Sequence, residues 1–201
     1  MTVPTTTPDY TSRRTVTAAT ALPVTLATMK ATLRLDNSDQ DALLTASIWA
    51  ASQSVEAYTG QTLTTTTFEA FWDDMPAVFQ LPTNSPVQSI ESIKYYDQDG
   101  TEQTLASDQY RADIYRQPAR IEPAYGVSWP AVRNMANSVT VQYKAGHGDA
   151  STDVPAVLAA AVESQAVDIY EHPESLIVGT ISGLNATAER LLASYKIAWS
   201  K

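Results

Sequence analysis

The stretch SIKYYDQDGTEQTL, Ser92–Leu105, holds two aspartates separated by one residue and then a glycine. Such a stretch is either a calcium loop or a tight turn, and the choice decides the fold, because the first joins two helices and the second joins two strands. A calcium loop needs oxygen ligands at alternating positions, glycine at the sixth and a bidentate Glu at the twelfth. Counting from Asp97, the glycine arrives early at Gly100, Glu102 stands where the glycine is needed, and Asp108 closes the count. The ligand pattern fails. The flanks are β-formers, Ile90, Ile93, Tyr95 and Tyr96 before and Thr101, Thr104 and Leu105 after. An Asp-Gly pair between such runs predicts a hairpin, since the turn requires positive φ at glycine.

Outward from this hairpin, residues 61–149 keep a period of two. Turn signals fall at Asp73-Asp74, Pro82 to Pro86, Pro118, Pro123 and Gly126. SVTVQYKAG, Ser138–Gly146, sets Val139, Val141 and Tyr143 against polar alternates, the pattern of a half-buried antiparallel strand.

The period changes to that of a helix on both sides. Before the block, a short helix follows Thr25, and a long one from about Asp39 to Tyr58 places Leu44, Ile48, Ala51, Val55 and Tyr58 on one face. Ser38 with Asp41 makes a candidate cap, and Gly60 a natural stop. After the block, DVPAVLAAAVESQAVDIYEH predicts a helix with Asp153 as cap and Pro155 in an early position. The chain ends on a candidate helix from about Ala186. The expected fold class is α+β: a helical scaffold of two principal helices, a short first helix and a C-terminal helix, with an inserted antiparallel β block. The expected divisions are a flexible Thr-rich arm at 1–22, the scaffold at 23–60 and 150–175, the β domain at 61–149 and a tail at 176–201.

The 201 residues can bury a core without staples, and there is no cysteine, which removes disulfides and thiolate chemistry together. No apolar run reaches the ~20 residues of a membrane helix, so no membrane partner is expected. The net charge is −9 with scattered basic residues, which argues against tight nucleic-acid binding.

Candidate chemistry is thin. His147, between Gly146 and Gly148 with Asp149 near, lacks the nucleophile turn that a triad requires. His172 stands at a helix end, where a cation relieves the dipole. Asp73 and Asp74 point to opposite faces of a strand and read as turn residues. No catalytic, cofactor or metal site is expected. Trp72, Trp129 and Tyr125 lie near loops, where they either pack over a sheet edge or stack on a sugar.

The order of these motifs resembles the head-to-tail connector, or adaptor, proteins of tailed bacteriophages, in the larger version with an inserted β block. The resemblance is carried by VTLATMKATLRLDNSDQDALLTASIWAASQSVEAYTGQTLTTTTF, then LPTNSPVQSIESIKYYDQDGTEQTLASDQYRAD, RIEP and VTVQYKAGHGD, then VPAVLAAAVESQAVDIYEH, and covers roughly Pro23 to His172. It implies a virion structural protein of the neck, assembled in the bacterial host cytoplasm, and not an enzyme. Its implied partners are the portal protein, a tail-proximal stopper or tail-completion protein, and further copies in a homo-oligomeric, dodecameric ring whose channel passes genome DNA without specific binding. The alternative is a carbohydrate-binding or tail-tip adhesion module using the three loop aromatics.

The C-terminal segment is the expected portal-docking element. Leu191, Leu192, Tyr195 and Trp199 make one apolar face on about four turns, too short to hold alone in water, so it folds on a surface supplied by its own domain or by a partner, and Tyr195, Ile197 and Trp199, further out, are the expected anchors in the portal. Gly179 and Gly183 would be its hinge.

Overall fold

A computed structural model describes residues 10–172, 184–193 and 195. The chain divides into two compact units, one comprising residues 19–65 and 147–201, the other residues 1–18 and 66–146. The class is α+β.

The helical unit contains α1 (Leu26–Leu33), α2 (Asp41–Thr59), α3 (Ala156–Glu171) and α4 (Ala186–Leu192). Helices α2 and α3 pack together as the two principal members, and α4 packs on α3. The predicted stripe is the buried one: Leu44, Ile48, Ala51 and Val55 are fully enclosed, with Tyr58 packed at their margin. From α3 they meet Leu158, Ala161, Val162, Ala166 and Ile169.

The helix ends follow local chemistry. The Thr25 side chain accepts from the Thr28 amide at 3.1 Å and starts α1. Gly60, at φ 67°, stops α2 and donates its amide to the Glu56 carbonyl. Two caps differ from expectation. Helix α2 starts after Gln40 without a side-chain cap, and Ser38 contributes only its carbonyl, to the Asp41 amide. Asp153 caps not α3 but the short 3-10 turn Ser151–Asp153, accepting from the Ala150 amide at 3.0 Å; α3 itself begins after Pro155.

The β unit holds two antiparallel sheets. The five-stranded one has the order β1-β2-β8-β4-β5, built from β1 (Ser12–Thr17), β2 (Thr66–Trp72), β4 (Val87–Tyr96), β5 (Glu102–Thr104) and β8 (Val139–Ala145). The three-stranded one is β3-β7-β6, from β3 (Phe79–Gln80), β6 (Tyr110–Asp113) and β7 (Arg120–Pro123). Strand β8 buries Val139, Val141, Tyr143 and Ala145 on alternate positions, as its sequence predicts.

The hairpin is a hairpin. Asp97 Oδ1 accepts from the amides of Asp99 and Thr101 at 3.1 and 2.9 Å, and Gly100 takes φ 85°. The Asp97 carboxylate is thus committed to its own turn. The Gln103 side-chain hydrogen bond, then the Thr101 amide, hold its pKa below the usual carboxylate value.

Part of the Thr-rich arm is a strand instead of a flexible segment. Ser12–Thr17 pairs antiparallel with β2, with all six residues exposed, so backbone hydrogen bonding and not burial holds it. Arg14 adds an ion pair to Glu69 at 2.6 Å, and Arg13 donates to the Pro82 carbonyl while its guanidinium lies 4.6 Å from the Phe68 ring centroid. The divisions between units also shift by a few residues. The Thr65 amide donates to the Gly148 carbonyl, the His147 amide to the Leu63 carbonyl, and Leu63 is buried in the helical core. These ties place residues 61–65 and 147–149 with the helices.

Candidate docking and assembly surfaces

The expected docking residues fall into two groups. Helix α4 is set by Asn185, whose side-chain oxygen accepts from the Ala188 amide at 2.8 Å while its Nδ2 donates to the Ser164 carbonyl at 2.9 Å. The Asn185 amide in turn donates to Gln165 Oε1 at 2.8 Å. The bonds to Ser164 and Gln165 tie the start of α4 to the middle of α3. They direct Ala188 and Leu192 into the helical core, where both are fully buried, with Leu191 and Tyr195 partly buried against the same cluster. So Leu191, Leu192 and Tyr195 meet their own domain. Ile197 and Trp199, and the hinge glycines Gly179 and Gly183, lie outside the described residues.

The candidate chemical groups resolve into structure. The His147 imidazole is half-buried, which holds its pKa below the ordinary histidine value, and its Nε2 has no partner among the described residues. His172 Nδ1 sits 3.2 Å from the Asp168 carbonyl oxygen at the end of α3. Asp73 ties strand ends together, accepting from the Asn137 amide at 2.7 Å and the Thr11 hydroxyl at 3.2 Å, and its backbone carbonyl accepts from the Ser138 hydroxyl. Asp74 accepts from the Met75 amide. Among the described residues no cluster of His, Asp and Glu could hold a metal ion, and no helix is long and apolar enough to cross a membrane.

The loop aromatics form no sugar platform. Trp72 is buried and meets Phe79 edge-on at 5.0 Å, and Trp129 meets the same ring edge-on at 5.4 Å. Only Tyr125 of the three is exposed. The two tryptophans close the β core, the packing alternative.

Among the described residues, Tyr125 is one of a few large hydrophobic side chains open to water. Tyr115 (96% exposed) and Tyr125 sit in loops flanking the β6–β7 pair, and Leu43 (48%) lies on the first turn of α2. Nothing in periodicity marked Tyr115 or Leu43. The only available signal was a large apolar group off the buried stripe, and single exposed hydrophobics are common.

Comparison with known proteins bears on the same order of elements. Residues 23–117 match the family described as phage gp6-like head-tail connector protein. Three solved chains share the fold over most of this chain's length. A chain from the neck of an empty gene transfer agent particle, computed with C6 symmetry, is 23% identical with a TM-score of 0.72, covering 94% of this chain and 97% of its own. One from the neck of the native particle with C12 symmetry is 28% identical, TM-score 0.66, covering 90% and 94%. A third, from the native virion, is 25% identical with a TM-score of 0.66, covering 89% and 94%. No curated protein matches.

Proposed function

We propose that this chain is a structural head-tail connector that forms a closed ring beneath the portal and bridges it to a tail-proximal stopper or tail-completion protein. The observation that carries the reading is the connector match over residues 23–117, continued to nearly the full length by neck chains of similar fold. Such relatives are structural proteins of the virion neck, and three of the carboxylates singled out in the sequence, Asp97, Asp73 and Asp74, are tied into turns or strand ends. The neighbours' reconstructions with C6 and C12 symmetry support a ring of six or twelve copies, of which the dodecamer is the proposed state. Genome DNA passes its channel without sequence recognition, in keeping with a net charge of −9.

Within this reading, the residues beyond α4 grip the portal, with Ile197 and Trp199 as anchors and Gly179 and Gly183 as the hinge. Leu191, Leu192 and Tyr195 hold the base of that element against its own core. Truncation after Ser194 tests it. The shortened chain is expected to fold, because Leu192 remains, yet to fail to join portal-bearing heads. Normal occupancy on heads would assign the grip to another segment.

A further inference from the structure

The hairpin loop between β6 and β7, residues 114–119, combines an unusual exposure with a firm base. Tyr115 stands almost entirely in water, and Arg116 beside it is exposed with no ion pair among the described residues. Below them the loop is pinned: Ala119 is buried, Ile114 packs against the β core, and Arg120 pairs with Asp113 at 3.5 Å across the strands. A tyrosine and an arginine presented on a fixed support have the composition of an interface hot spot, since the loop backbone beneath them is already ordered before binding. The surrounding stretch, Tyr110–Met135, holds four arginines against two acidic residues in a chain whose total is −9.

A complementary surface occurs on the helical unit. The connection between α1 and α2 carries Asp36 and Asp39, both exposed and neither ion-paired among the described residues, since Lys30 is taken by Asp41 at 2.9 Å. Leu43 follows on the first turn of α2, half in water. Arg34 is the one basic side chain of that connection. Acidic groups beside an exposed leucine match an arginine beside an exposed tyrosine in both charge and apolar character.

We infer that the Tyr115-Arg116 tip of one copy docks on the Asp36, Asp39 and Leu43 corner of the next copy, forming the subunit contact of the ring. This rests on the ring reading above and names the faces that make it. A ring requires two different surfaces on each subunit, a heterologous contact that closes by rotation, and this pair supplies one basic-aromatic and one acidic-aliphatic member. Arginine suits the role because its guanidinium engages a carboxylate through two parallel hydrogen bonds.

The test is a charge exchange in the full-length chain, read by native mass spectrometry of the free protein and by occupancy on portal-bearing heads. Arg116→Glu and Asp39→Arg are each expected to cut ring formation at least tenfold, and the double variant Arg116→Glu/Asp39→Arg to recover most of it. Tyr115→Ala is expected to weaken assembly with unchanged melting, as the side chain touches no core. Rings at wild-type level in Arg116→Glu would overturn the inference while leaving the ring intact. Loss in both single variants without recovery in the double would overturn the pairing of these two faces. Normal rings with lost retention of DNA would reassign the tip to phosphate contact. A wild-type chain that stays monomeric both alone and on heads would overturn the ring reading itself, and this contact with it.

Discussion

Leu192 separates the two parts of the C-terminal segment, and replacing it with alanine gives a sharp expectation. Its side chain is fully buried in the helical core with Ala188, on a helix whose start is fixed to α3 by Asn185. Removing three carbons from such a site loses their transfer free energy and leaves a cavity, together about 2–5 kcal/mol. The helical unit has about a hundred residues, for which 1 kcal/mol corresponds to a shift of about 4–8 °C in Tm. A loss of about 3 kcal/mol therefore lowers the midpoint of helical melting by roughly 12–24 °C. Circular dichroism at the helical band, followed with temperature, reads this directly. Attachment to heads, measured well below the new midpoint, is expected to remain near normal. A variant that melts as wild type but no longer attaches would refute the reasoning, because it would make Leu192 a contact residue and not a core residue.

Three further outcomes follow from the geometry. Gly148→Ala would place a Cβ 2.3 Å from the Asp153 carboxylate, whose cap on the Ala150 amide must then shift, so a loss of about 1–3 kcal/mol is expected in urea unfolding; equal stability would mean that this loop yields freely. Burial pushes the Tyr143 hydroxyl up to about 12, so its neutral form stabilises the β unit below pH ~10 and that contribution is lost as pH rises toward 12; in Tyr143→Phe the alkaline unfolding limb is expected to move to higher pH, and an unchanged limb would contradict the burial argument. Because Asp97 already accepts from two amides and Gln103, calcium and chelators are expected to leave melting unchanged, and a rise of several degrees on adding calcium would restore the loop reading of Asp97–Gly100.

The helices and the inner strands were legible because their signal is burial on one face, which leaves a period. Leu44, Ile48, Ala51 and Val55 fall at helical spacing, and Val139, Val141 and Tyr143 at strand spacing, and all are enclosed. Strand β1 was hidden for the opposite reason. With every residue of Ser12–Thr17 exposed, no alternation was imposed on the side chains, and its partner β2 lies about fifty residues away in sequence. The end of α1 was equally silent, since Arg34 adopts the left-handed cap at φ 56° that glycine usually marks. Of the apolar residues expected at the chain end, Leu191, Leu192 and Tyr195 are among those described, and periodicity records only that a surface is covered. Leu191, Leu192 and Tyr195 are covered by their own α2–α3 scaffold, and sequence spacing cannot distinguish that from a partner's pocket. Tyr115 and Leu43 carry no periodic signal, because a group kept for contact with another molecule sits off the buried stripe.

A symmetry-free reconstruction of the head-tail junction, in particles containing this chain, tests the proposed ring most directly. The expected result is one closed ring of this fold, of twelve copies, directly beneath the portal and above the next tail-proximal ring, with DNA in its channel. Density for this fold elsewhere in the particle, or a neck complete without it, would contradict the account.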